Sequence, residues 1–168
     1  MTSYRTYRDL PPLAGLASFA AASEPGLSVE ESVRRLKGHH HAFRRLHHLL
    51  IARLTAEPIY ELKMVFSYHA YLCAEAVTGF RARVGEMREP PLGLERVPHP
   101  GLGLLFDELL QAPTTEALLL GVYEFLLPAL AKSLDAHEQA THPLADQPSR
   151  RLLRQVLGEV EEMLDYGR

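Results

Sequence analysis

The chain is poor in cysteine: Cys73 is its single thiol in 168 residues. An intramolecular disulfide is therefore excluded, and a reducing, cytoplasmic setting is the expectation. A basic surplus is also missing, because the formal net charge is −3. The short cationic cluster Arg150, Arg151 and Arg154 reads as a solvated helix face, so nucleic acid is not an expected partner. No apolar run stands out as membrane-spanning. The start of the chain places Asp9 and two prolines before its mildly apolar part, which makes a poor signal peptide. No membrane partner is expected. Phosphate loops, nucleotide-binding glycine fingerprints and Gly-x-Ser-x-Gly elbows are absent, which removes the reactions those motifs carry. No segment alternates like a strand, and no internal repeat or low-complexity stretch is present.

What is there is helical periodicity. Ser28 and Glu31 form a capping box, followed by a helix A to about residue 56. Pro58 ends it and suits the first turn of helix B, residues 58–88. The inward face of helix B is Leu62, Val65, Phe66, His69, Leu72, Cys73, Ala76, Val77, Phe80 and Val84. Prolines and glycines interrupt the next stretch, with a short helix near 102–111. Helix C spans 114–138 and helix D 148–166, closed by Gly167. Residues 1–27 read as an N-terminal arm and 28–168 as one all-α bundle. Helix B would be about 45 Å long, and the 89–113 connection is long enough to travel most of that length. This predicts one long B–C crossover, with an up-down bundle and a decorated loop as the alternative.

The phrases "LSVEESVRRL", "YELKMVFSYHAYLCAEA", "RVGEMREPP" and "THPLADQPSRRLLRQVLGEVEEMLDYG" cover most of residues 27–167. In them the chain resembles the ferritin-like superfamily, in particular its poorly characterised bacterial members. The resemblance implies a four-helix bundle with a single crossover. In the metal-binding members, inward carboxylates and Glu-x-x-His pairs hold a dinuclear site. Glu-x-x-His occurs nowhere here. The expected inward positions carry Phe43, Cys73, Ala76, Val160 and Met163. Glu75, Glu159, Glu161 and Glu162 fall on flanks. No metal ligand is transferred, and no cofactor is expected.

The remaining signal is histidine. "LKGHHHAFRRLHHLL" (Leu36 to Leu50) holds five of the nine. A seam of Val33, Leu36, His40, Phe43, His47, Leu50 and Leu54 turns His40 and His47 inward. His39, His41 and His48 are then expected at flanks or in solvent. His69 interrupts the apolar face of helix B, while Tyr123 and His137 share a stripe of helix C beside Glu124. Pro128 should kink that helix. Taken singly, each inward histidine reads as a hydrogen-bonded core residue rather than a ligand. Together they predict a polar pocket lined by His40, His47 and His69 that reaches Tyr123.

Three function classes follow. The first is a metal-independent enzyme acting by acid/base chemistry on a small, largely apolar metabolite, through rearrangement, cyclisation or elimination. His69, His47, Tyr123 and Glu124 would be catalytic. His40, Phe43, Cys73, Tyr68 and His137 would line the substrate. The second is an oxygen-using metalloenzyme with a nonstandard His-rich site, built from His40, His47, His69 and Glu124. The third is a noncatalytic binding or subunit protein. Met64, Tyr68 and Tyr71 form a second apolar face on helix B, which suits a homodimer or a seat for the arm.

Overall fold

The computed structural model describes residues 8, 10–88, 93–94 and 96–167. The start of the arm and residues 89–92 and 95 of the expected crossover lie outside these. Among the described residues every regular element is helical.

The arm contains a tight turn, Pro12–Gly15, and α1, Phe19–Ser23. Its seat is the opposite end of the molecule from the Met64, Tyr68 and Tyr71 face. Leu27 N donates to Ala140 O at 3.2 Å. His142 Nδ1 accepts from Leu144 N and Ala145 N, so its Nε2 carries the proton that bonds Ala22 O at 3.2 Å. Met64, Tyr68 and Tyr71 stay exposed.

The first long helix, α2, is Val29–Ala56. Ser28 Oγ accepts from Glu31 N at 3.2 Å, as a cap should. The Glu31 carboxylate does something else: it takes Arg34 and Arg35 at 2.7 Å. The turn Glu57–Ile59 then reverses the chain into α3, Tyr60–Glu86. The helix therefore starts two residues later than Pro58 predicts. Buried Glu57 accounts for this, because its carboxylate accepts from Ile59 N at 3.1 Å and from Thr115 Oγ1 at 2.8 Å. The inward face of α3 matches expectation, with Ala70 added.

The next helix, α4, is Pro100–Leu110, with the His99 ring as its N-terminal cap. It packs on α2, where Arg45 Nη2 meets Asp107 Oδ1 at 2.6 Å and lies 5.5 Å from the Phe106 ring. A helical run then extends from Thr115 to Ala140. It comprises α5 (Thr115–Leu119), a π-helical stretch (Leu120–Leu126) and α6 (Leu127–Ala140). Instead of a simple break at Pro128, the run approaches the proline through the π stretch, where Leu127 N bonds Val122 O. Pro128 follows directly inside the continuous run, where it donates no hydrogen bond, and the π step is where the run departs from regular α-helical bonding ahead of it.

This run also corrects the reading that no segment reaches membrane-spanning length. By length and composition alone, Thr115–Ala140 does, with mean hydropathy 1.5. Here Leu118, Val122, Leu126, Leu127, Leu130 and Leu134 are buried against the core.

The last helix, α7, is Gln147–Tyr166, capped by Asp146. Leu153, Val156, Val160 and Met163 are buried, as their spacing predicts. Contacts at the helix ends set the directions. Thr115 opens beside Glu57, at the α2–α3 turn, and Ala140 closes beside Leu27. The Thr115–Ala140 run is thus parallel to α3. α7 begins where Asp146 meets Ser32 and Arg83, and ends with Tyr166 against His69, so it runs parallel to α2.

Candidate functional site

The histidines separate into two groups along the long axis. Near the α2–α3 turn, His69 Nδ1 and the Tyr123 hydroxyl are 2.8 Å apart, both buried. The Tyr166 ring stands edge-on to His69 at 5.8 Å. Burial pushes the His69 pKa down to about 4, against a small opposing pull from Glu162. The imidazole is neutral at pH 7, with one donor and one acceptor nitrogen. Burial raises the Tyr123 phenol, so its proton stays on.

Tyr123 sits in the middle of the π stretch, a distortion often found where function needs a re-aimed side chain. Its ring packs on the backbone of Gly167, where any Cβ would overlap it. A cleft of about 470 Å³ opens over it. Leu62, Val65, Leu119 and Leu120 make the cleft apolar, while Tyr123, Tyr166, Glu116 and Glu124 supply its polar atoms. His69 does not line the cleft. Its hydrogen bond to the Tyr123 hydroxyl connects it to the cleft wall.

At the far end, His39 and His137 stack at 5.3 Å between centroids and 22° between planes, with Phe80 on the other side of His39 at 5.5 Å. His39 Nε2 and both nitrogens of His137 are buried without a hydrogen-bond partner. Burial lowers their pKa values to about 3 and about 4. His39 and His41 were expected at flanks or in solvent, yet they are 5% and 4% exposed. His39 is buried by α3 and α6, through Phe80 and His137, within an inward stripe of Leu36, His39, Phe43, Leu46 and Leu50, while α4 covers the neighbouring face of α2, where Arg45 meets Asp107 close to His41. The true seam lies about one residue from the one drawn through His40 and His47.

The remaining predicted residues do not gather at Tyr123. His47 is half-buried, and its Nδ1 donates to Ala70 O at 2.9 Å. A carbonyl can only accept, so this bond fixes the tautomer. His40 is buried with Nδ1 unpartnered, its pKa about 4 from burial and from nearby Arg44 and Arg81. Phe43 packs on Phe80 in the core. Cys73 is fully buried and its thiol pKa is raised by burial, which makes it inert packing rather than a nucleophile. Tyr68 is exposed and donates to Glu162 at 2.9 Å. His48 is exposed, as expected.

Three residues of this region escaped sequence reasoning. Tyr166 and Glu116 sit near helix ends, where periodicity says little, and Glu57 looked like turn punctuation.

The dinuclear metal centre implied by the ferritin-like resemblance does not fit these donors. Phe43, Cys73, Ala76, Val160 and Met163 are buried where carboxylates would be needed to neutralise two dications. Among the described residues no three His, Cys, Asp or Glu side chains converge on one point, and His40, His47, His69 and Glu124 are no exception. No protein family, curated protein or solved structure matches this chain.

Proposed function

We propose that the cleft over Tyr123 binds a small, largely apolar metabolite and moves a proton on it, with no metal required. The observation that carries this reading is the buried 2.8 Å bond between His69 Nδ1 and the Tyr123 hydroxyl, at the wall of an apolar cleft. The ligand body would lie on Leu62, Leu119 and Leu120. A proton leaving the ligand reaches the Tyr123 oxygen as the hydroxyl proton passes to Nδ1. The reverse transfer delivers it to a second atom of the ligand. The net change is a rearrangement or elimination without oxidation. Because His69 is held neutral, it returns the proton readily. Tyr123 is the catalytic group in this scheme, and His69 positions and recharges it.

The fold belongs to the same proposal: a ferritin-like four-helix bundle with one crossover. The helix directions support it, since α3 and the Thr115–Ala140 run are parallel although they follow each other in the chain. The buried, lone Cys73 suits a cytoplasmic setting. The exposed Met64 and Tyr71 suit a homodimer, which light scattering would refute by giving a single-chain mass at high concentration.

The test uses small unsaturated ketones and esters in D₂O, with deuterium incorporation followed by NMR. Incorporation should proceed with chelator present. It should fall roughly a hundredfold or more in Tyr123→Phe. His69→Ala should lose it with an unchanged helical spectrum, and the milder His69→Gln should shift its pH profile. Incorporation at the buffer rate for every compound, or indifference to Tyr123→Phe, would sink the reading.

A further inference from the structure

A second cleft, of about 630 Å³, lies toward the other end between α2, α4, α6 and the segment before α4. Its rim carries Arg34, Arg35 and Lys37 from α2 and Arg96 from the connection, and among the described residues its lining includes no carboxylate. This runs against the composition, because the chain as a whole is acidic. Glu31 neutralises part of the charge, holding Arg34 and Arg35 at 2.7 Å. Lys37 and Arg96 have no ion pair among the described residues. The walls are apolar, with Leu102 and Leu105 from α4 facing Leu126 and Leu130 from the helix across it. His39 also lines the cleft, and its Nε2 has no protein partner.

Unpaired cations on one rim of an apolar cavity repel each other and focus a positive field into a low-dielectric space. An anion relieves that repulsion, and the volume is that of a small-molecule site. The geometry assigns this cleft to a small amphiphilic anion, an apolar chain or ring ending in a carboxylate or phosphate. Its charge would sit among Arg35, Lys37 and Arg96, and its body on Leu105, Leu126 and Leu130. The site is separate from Tyr123 and does not depend on the reading of that cleft.

Calorimetric titration of the full chain tests it with four probes below their aggregation concentrations: decanoate, decyl phosphate, decanol and acetate. Decanoate or decyl phosphate should bind, and the tighter of the two identifies the head group. Decanol and acetate, which lack the charge or the body, should bind at least tenfold more weakly. Lys37→Ala and Arg96→Ala should each weaken binding about threefold, and the double variant about tenfold. Arg96 is exposed and Lys37 half-buried, and neither has an ion pair among the described residues, so folding should be preserved. Ala129→Trp, on the α6 wall, should block binding of every probe at unchanged melting temperature. Decanol binding as well as decanoate would overturn the assignment. So would affinity unchanged in the double variant or in Ala129→Trp.

Discussion

The two ends of the molecule bury imidazoles in opposite ways. Beside the α2–α3 turn, His69 has a hydroxyl at 2.8 Å, and Glu57 ties Ile59 N and Thr115 into the same region. At the other end, His39 and His137 have only each other's faces and Phe80, with three ring nitrogens unpaired. The ionic cluster of Arg83, Asp146, Ser149 and Ser32 lies nearby but does not reach them. A buried polar group costs stability when it lacks a partner and specifies structure when it has one. One end thus holds an ordered dyad, and the other a stack held by packing alone.

Acid should expose the difference most strongly. Unfolded histidines take up protons near pH 6.5, whereas burial holds His39 at about 3 and His40, His69 and His137 at about 4. For His137, Arg35 adds to the depression while Asp146 and Glu31 oppose it. The unfolded chain therefore binds more protons below 6.5. Stability is complete above that pH and drains away as pH falls toward 4. Each of these histidines should remove about 2 kcal/mol by pH 5. Melting temperature measured between pH 7.5 and 4.5 should fall steeply, and the double variant His39→Leu/His137→Leu should flatten the fall. A pH-independent melting temperature would contradict the burial of the whole set.

Next in size are the polar ties at each end. Asp146 pairs with Arg83 at 2.8 Å, both side chains largely buried, and it also caps α7. Asp146→Ala leaves the Arg83 charge without this partner and should cost about 3 kcal/mol in urea unfolding. Glu57→Gln keeps one acceptor oxygen for Ile59 N or Thr115 and should cost about 1 kcal/mol. Equal costs would mean that the two ends are tied with equal strength.

Leucine at each histidine sharpens the comparison directly. His69→Leu strands the Tyr123 hydroxyl in the core and should cost about 1–3 kcal/mol at pH 7.5. His137→Leu removes two unpaired nitrogens and should be neutral or stabilising. The reverse order would show that the His39–His137 stack has a polar partner after all.

How far the sequence carried depends on what each helix touches. α3 and α7 bury single faces, and Val65 to Val84 and Leu153 to Met163 were readable from spacing alone. α2 is covered on two sides, by its helix neighbours and by α4, so a single seam through His40 and His47 missed His39 and His41. Tyr123 was singled out from its stripe with His137, and Pro128 marked the helix as irregular, but the form of the irregularity depends on packing. The contact of Tyr166 with His69 joins residues far apart in sequence, and no local pattern encodes it.

The smallest expected effect concerns Tyr68 and Tyr123, two of the three tyrosines around His69. The Tyr68 ring lies 5.9 Å from the imidazole and the Tyr123 ring 5.8 Å, so ring distance alone does not distinguish them. Their hydroxyls do. Tyr123 OH points to a buried nitrogen, whereas Tyr68 OH donates to Glu162 at an exposed site. An exposed hydrogen bond competes with water and contributes little. Tyr68→Phe should change stability by less than about 0.5 kcal/mol and leave proton transfer at the cleft untouched. Tyr123→Phe removes a buried partner of His69 and should affect both. Comparing the two in parallel, by unfolding and by deuterium incorporation, separates nearness to His69 from partnership with it. If Tyr68→Phe alone slowed incorporation, the reacting molecule would lie on the outer face of α3 and not over the π stretch.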